Sequence, residues 1–248
     1  MKIIPYLVKR IWIFQKVREF YYWLLKGIPP VSYEPVNSKL LRSLIQKKNP
    51  VILEIGCNDG THTLWFLEIF ENPSIYCFEP DPRAVVSFKE KVGNHPNINL
   101  YEIALGMSNG KQKFFQSNRT DSDWTCSGSL RKPAQHINLH PNITFPSSID
   151  VSTFTLDTWC SANNIGNAEC PIDFIWIDVQ GSEIDVIKGG EVALRNTRFL
   201  YTEYSDTELY EGQANLQQIK KYLKAIQLVI IERWHSDALF KNVSFRDK

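Results

Sequence analysis

The chain has 248 residues, 28 Lys plus Arg against 27 Asp plus Glu, and 43% hydrophobic residues, which suits one domain with a short appendage and an ample core. A net charge of +1 gives no general attraction for nucleic acid, and no basic stripe interleaved with aromatics appears, so no nucleic-acid partner is expected. The five cysteines, Cys57, Cys77, Cys126, Cys160 and Cys170, make no Cys-x-x-Cys pair, which predicts reduced thiols in a cytoplasm rather than a zinc cluster or a disulfide framework.

Residues 1–30 form a separate N-terminal segment, with the main domain over 31–248. Within the segment Lys2, Lys9, Arg10, Lys16, Arg18 and Lys26 interrupt an aromatic and aliphatic sequence, and no uncharged run reaches a signal-peptide core or a membrane span. Ile11, Phe14, Val17, Tyr21 and Leu24/Leu25 recur at helical spacing. Two readings stay open: an amphipathic helix packed on the domain or on a second copy in a homo-oligomer, or a basic helix in peripheral contact with an anionic membrane through residues 1–28. The first is preferred, because aromatic stripes at this spacing are usually core. Gly27-Ile-Pro-Pro30 closes the segment as a linker.

Asn37 is placed to cap a helix carrying Leu40, Leu41, Leu44 and Ile45 on one face. Val51–Ile55 is apolar except for Glu54 and too short for a helix, so it reads as a central parallel strand. Gly56 and Gly60 bracket the turn that follows, and Thr61 opens a helix with Leu64, Leu67 and Phe70. Strand, glycine turn and helix make a cofactor crevice at the strand's carboxyl end. A dinucleotide site would need Gly-x-Gly-x-x-Gly, but Asn58 and Asp59 stand here. The acidic-x-Gly-x-x-x-Gly turn resembles the first motif of S-adenosylmethionine-dependent methyltransferases. Their cofactor is cationic and carries no phosphate, so carboxylates such as Glu54 and Asp59 would attract it. Ser74–Phe78 is a second strand followed by Glu79, roughly 20 residues past the turn, where doubly wound folds hold a ribose. Asp81 and Pro82 suit the N-cap and first position of a helix burying Ala84, Val85, Phe88 and Val92.

Ile98–Ile103 reads as a third strand, and Asn109-Gly110 as a hairpin turn with Lys113–Gln116 returning. Residues 117–148 are rich in Ser, Asn, Pro and His, lack periodicity, and predict a mobile lid loop. A strand at 149–154, a helix at 156–162, a buried strand at 171–178, a helix at 182–188 stopped by Gly189-Gly190, and a strand at 199–203 follow. Asn215 caps a further helix, and 228–231 and 238–243 close as two strands. Alternating strands and helices mean a mostly parallel sheet covered on both faces, with an antiparallel edge.

At Phe174-Ile-Trp-Ile-Asp178-Val-Gln-Gly181-Ser-Glu183, running on to Lys188-Gly-Gly190, the sequence resembles the FkbM family of S-adenosylmethionine-dependent methyltransferases. Glu54–Gly60, Phe78-Glu79-Pro80, Ala104-Leu105-Gly106, Ser127-Gly-Ser129-Leu130 and Thr155-Leu-Asp157 are similar to its other blocks, in order, over roughly residues 50–205. The resemblance implies an α/β, Rossmann-like class I methyltransferase with a seven-stranded sheet, S-adenosyl-L-methionine as cofactor, and O-methylation of a hydroxyl on a sugar, glycan or natural-product acceptor. It adds Pro80, Ala104 and Ser129 to Glu54, Gly56, Asn58, Asp59, Gly60, Glu79 and Asp178 as cofactor-binding candidates. Gln180 stands where the family has Glu, and Gly128 separates two serines that are normally adjacent.

Asp178 and Glu203 end neighbouring strands, so both carboxylates should face the crevice. Asp178 either holds the cofactor's ammonium, takes the acceptor's proton, or caps the next helix; a strand this apolar favours a functional partner. Glu183 serves equally well as a site residue or as a helix-dipole acid. The pair Asp178 and Glu203 could hold a divalent metal, but no third oxygen ligand has useful spacing, and none is expected. His136 or His140 in the lid could act as a base, or be solvated loop residues; His62 lies by the turn. Trp124 stacks a sugar or fills core, and Trp176 reads as core. Two rivals to the methyltransferase remain: a nicotinamide oxidoreductase, and a noncatalytic S-adenosylmethionine-binding subunit.

Overall fold

A computed structural model describes residues 27–245 together with Val17, Tyr21, Trp23, Leu24 and Leu25. The seven-stranded sheet runs β3 (Ile98–Tyr101), β2 (Ser74–Phe78), β1 (Val51–Ile55), β7 (Ile172–Ile177), β8 (Thr197–Glu203), β10 (Asp237–Asn242), β9 (Leu228–Arg233). All neighbours pair in parallel except β10, which is antiparallel to both β8 and β9. The antiparallel strand is therefore the last in sequence but lies one place inside the edge, and β9 forms the edge itself. From β1 the chain moves outward to β2 and β3, then returns to the other side of β1 as β7. That reversal opens a crevice above the carboxyl ends of β1 and β7.

The central strands are hydrophobic because both faces are covered. β7 sends Ile175 and Ile177 into one apolar cluster and Phe174 and Trp176 into the other, as a two-residue repeat demands. The helices between are α1 (Ser38–Ile45), α2 (Thr61–Ile69), α3 (Pro82–Val92), α4 (His136–Leu139), α5 (Leu156–Asn163), α6 (Glu183–Lys188), α7 (Glu191–Arg195) and α8 (Leu216–Ala225). Asn37 caps α1, Asp81 caps α3 with Pro82 following, and Asn215 with Gln218 forms a capping box on α8. In α2 the buried residues are Thr63, Phe66 and Ile69 rather than Leu64 and Leu67. Trp176 is core, as the sequence predicts, with its ring stacked 3.9 Å from that of Tyr201.

Two expectations change. Asn109-Gly110 does not join paired strands. β4 (Ala104–Gly106) lies parallel to β6 (Ile143–Thr155), and β5 (Gly110–Arg119) lies antiparallel to it, so β6 sits between them. Asn109 instead ties the start of α5: its Nδ2 donates to Thr158 at 3.1 Å and its Oδ1 accepts from Thr155 N at 2.8 Å.

Residues 117–148, read as an aperiodic loop, contain regular structure. β5 and β6 extend into them, α4 lies within, and Phe115 exchanges backbone hydrogen bonds with Ser129. The signal was hidden because Pro146 interrupts β6. It is tolerated where the ladder slips between Gln116 and Asn118.

The expected packing of Ile11 and Phe14 lies outside the described residues. Val17, Tyr21, Leu24 and Leu25 are exposed by 60–67%, so the domain does not cover these side chains.

Candidate active site

The glycine turn is pinned from both sides. Gly56 N and Cys57 N donate to Phe78 O at 2.9 and 3.1 Å, and Asp178 N donates to Ile55 O at 2.9 Å. Gly56 has φ +89, and a Cβ there would lie 1.8 Å from the carbonyl oxygen of Asp178. Only glycine lets the ends of β1 and β7 approach so closely. Above the turn is a cavity of about 350 Å³. Gly56, Cys57, Asn58 and Asp59 line one wall, Glu79 and Pro80 the rim, and Asp178, Val179 and Gln180 the far side. Ile103, Ala104, Leu105, Phe114 and Leu130 add an apolar wall.

Glu79 is buried, and its two carboxylate oxygens accept from Asp81 N at 2.8 Å and Asn58 N at 3.0 Å. Burial pushes its pKa up to about 7 against those two donors. Asp59 is differently placed. Burial raises its pKa, but the Lys91 ammonium at 2.6 Å and the Thr61 hydroxyl and amide outweigh that and leave it below the usual value. Its charge is thus compensated, and the expectation that Asp59 attracts the cationic cofactor loses force. A stronger observation replaces it: among the described residues no Lys or Arg lines the cavity. A cationic sulfonium and ammonium fit such walls, and a pyrophosphate does not. The paired backbone contacts on Glu79, the apolar wall and the cation-free interior all fit S-adenosylmethionine.

Three cofactor candidates do not reach the cavity. Glu54 is wholly buried beneath the turn, bonded to the Thr63 hydroxyl and to Cys77, and burial raises its pKa to about 8. Its side chain points from β1 into the layer beneath α2, away from the crevice. Gly60 starts α2, and its missing Cβ makes room for Val92 and Phe88. Ser129 is buried and acts through the backbone, donating to Gln180 O at 2.7 Å while accepting from Arg131 N.

Beyond Asp178 lies a second cavity of about 490 Å³, and Cys126 and Gln180 line both. Asp178 faces the first cavity and Glu203 the second. Between them the Gln180 amide donates to Asp178 at 2.8 Å and to Glu203 at 2.9 Å, while its own oxygen accepts from the Tyr210 hydroxyl at 3.2 Å. Desolvation first, and then the neighbouring Asp178, raise the Glu203 pKa well above the ordinary carboxylate range. Glu183 contributes no wall. It is buried, and its carboxylate accepts from Gly181 N and Val179 N, so it braces the loop that carries Gln180.

His136 is no solvated loop residue. It is buried in the wall of the second cavity, its ring 4.8 Å from His140 and 5.3 Å from both Phe145 and Tyr210. Burial, with His140 second, lowers its pKa to about 4, a poor proton acceptor near neutrality. Trp124 also lines this cavity, its indole N–H donating to Ser127. His62 lines the first cavity, beside Trp176. The sequence reading missed Tyr204 and Tyr210, which come from the loop after β8. Two tyrosines in a polar loop were the available signal.

A protein-family model described as the methyltransferase FkbM domain matches residues 31–228. The chain belongs to the FkbM methyltransferase family. Among curated relatives, this FkbM chain is 42% identical over 217 residues to the 2-O-methyltransferase NoeI of Sinorhizobium fredii (strain NBRC 101917 / NGR234), covering 87% of this chain and 86% of NoeI. Solved structures resemble it remotely. A putative rRNA methylase from Clostridium thermocellum gives a TM-score of 0.48 at 9% identity, covering 86% of this chain and 99% of that one. A putative methyltransferase from Streptococcus mutans, in complex with SAH, gives 0.45 at 10% identity, covering 86% and 100%. Scores this low add nothing to the assignment.

The FkbM chain is a methyltransferase that uses S-adenosylmethionine, and the nicotinamide alternative falls with that assignment. The Glu79→Ala variant of the FkbM enzyme should bind S-adenosylmethionine more weakly by about 1.5–3 kcal/mol, the scale for hydrogen bonds to a charged group. Calorimetric titration of the folded variant checks this, and unchanged affinity would remove Glu79 from the ribose role.

Proposed function

We propose that the enzyme methylates a hydroxyl group of a sugar, glycan or natural-product acceptor. The observation that carries this reading is the junction of the two cavities at Gln180 and Cys126, with Asp178 on the cofactor side and Glu203 on the acceptor side. The acceptor side combines Trp124, Tyr204 and Tyr210 with Glu203, Gln213 and three histidines, flat apolar faces beside hydrogen-bonding groups, as a hydroxylated ring requires. NoeI, a relative at 42% identity, is named as a 2-O-methyltransferase, which supports oxygen as the methylated atom.

Bound in the first cavity, S-adenosylmethionine supplies an electrophilic methyl group on a positively charged sulfur. Glu79 would hold the ribose hydroxyls with the lone pairs left over from its two backbone bonds. Asp178 would offer its carboxylate to the cationic end. Glu203 accepts the proton of the attacking hydroxyl; its raised pKa makes it a stronger base than an ordinary carboxylate. Gln180 holds both carboxylates in one frame, Asp178 on the side where the cofactor would bind and Glu203 on the side where the acceptor would bind. Among the described residues, no lysine or arginine lines either cavity.

The test is methyl transfer from labelled S-adenosylmethionine to a panel of free sugars and glycans, with the product linkage read by mass spectrometry and NMR. Methyl ethers on sugar oxygens are the expected products. Methylation confined to nitrogen or carbon would overturn the reading.

A further inference from the structure

The acceptor cavity is unusual in its charge. Glu203 lies in its floor and Asp206, exposed, stands at its mouth, yet no Lys or Arg lines it among the described residues. The nearby cations are outside the lining and already have partners. Arg119 lies over the Trp124 ring at 5.3 Å and pairs with Asp121. Arg131 is held by Asp185 at 2.8 Å and by the Glu211 carbonyl, and Lys132 pairs with Glu211 at 3.3 Å. Arg233 donates to Pro29 O and also lies against the Tyr204 side chain, behind that wall residue. Burial keeps His136 neutral, so it supplies no positive charge.

An anionic group on the acceptor would therefore enter past the Asp206 carboxylate and settle where, among the described residues, no lysine or arginine lines the wall to replace its lost hydration. Phosphate and carboxylate sites need the reverse: arginine forks, lysines or a free helix N-terminus. A neutral hydroxylated ring meets no such penalty, and an amino group would be attracted.

We propose that the acceptor is a sugar without anionic groups, neutral or amino-substituted, and that sugar phosphates, nucleotide sugars and uronic acids are refused. This rests on the sugar-hydroxyl reading above and narrows it. It places the reaction where the sugar is already free of activating phosphate, after glycosyl transfer rather than on the donor.

The experiment compares matched probes at about pH 8: methyl glycosides of glucose, rhamnose, galactose and glucosamine, and neutral oligosaccharides of these, against glucose 1-phosphate, UDP-glucose and galacturonic acid. Methyl transfer gives kcat/KM. Saturation-transfer NMR with the S-adenosylhomocysteine complex gives binding independently of turnover. At least one uncharged or amino probe should be bound and methylated, with kcat/KM at least about tenfold above its anionic counterpart. Asp206→Lys should narrow that ratio, because it puts a cation at the mouth. An anionic probe equal to or better than its neutral partner would overturn the proposal while leaving sugar methylation intact. Failure of every sugar to bind or react, in enzyme shown by calorimetry to hold cofactor, would sink the sugar reading and the proposal with it.

Discussion

An enzyme carrying Gly56→Ala is expected to bind no S-adenosylmethionine and to melt about 6–12 °C below the parent. A Cβ at position 56 would sit 1.8 Å from Asp178 O and 2.8 Å from Asp178 C, inside any tolerable contact. Both atoms are backbone, so no side chain can swing aside. The residue also sits at φ +89, where a Cβ costs about 1–2 kcal/mol before any clash. The remaining cost comes from parting strands held by the bond from Asp178 N to Ile55 O, bringing the total to about 3 kcal/mol. Any separation moves the turn and Asp178 together, and those are two walls of the cofactor cavity. Thermal melting and calorimetric titration, run below the variant's transition, check the two halves separately. Parent-like cofactor affinity would show that this turn is not the cofactor's seat.

Glu203→Gln should cost about 10²–10⁴-fold in kcat, the usual contribution of a positioned general base, with S-adenosylhomocysteine affinity unchanged. The substitution keeps shape, and Gln180 can still donate to an amide oxygen at position 203. Only the proton acceptor is lost. The pH profile carries the same signature. Desolvation and Asp178 raise the Glu203 pKa, and a base works only when deprotonated. The parent's rate should therefore rise with pH through that raised value, so its acid limb lies above the ordinary carboxylate range. The variant should lose that limb. Stability moves the other way: a carboxylate with a raised folded pKa favours folding while neutral and loses that contribution as pH rises. Glu203→Gln should accordingly melt no lower than the parent at alkaline pH. Near-parental turnover would return the role of base to Asp178, or to His140 or His235 in the acceptor pocket.

The short-range physics of the chain was legible without coordinates. Val51–Ile55 and Ile172–Ile177 are too apolar and too short to be anything but buried strands. Asn37, Asp81 with Pro82, and Asn215 announce helix starts because a cap needs only its own side chain and the next three amides. The Gly56 turn and Glu79 could be read for the same reason: a strand's end, a tight turn and an acid on the next strand are local in sequence. Both line the cofactor cavity.

Long-range pairing and side-chain direction could not be read in that way. Glu54 looked like a crevice acid because it stands two residues before the turn, but the strand's alternation sends it under α2. Asn109-Gly110 looked like a hairpin because turn chemistry does not reveal that a third strand, more than thirty residues later, slides between the two. His136 could be read as a lid base or a solvated loop residue, because its sequence neighbours do not show what covers it; its burial comes from Tyr210 and Phe145. The sequence by itself determined the α/β class, the cofactor turn and the family, since each is written in contiguous residues. Only the tertiary structure decided which carboxylate faces which cavity and that Gln180 bridges Asp178 to Glu203. Those facts depend on strands brought side by side, and on φ +51 at Gln180, which turns its amide back between them.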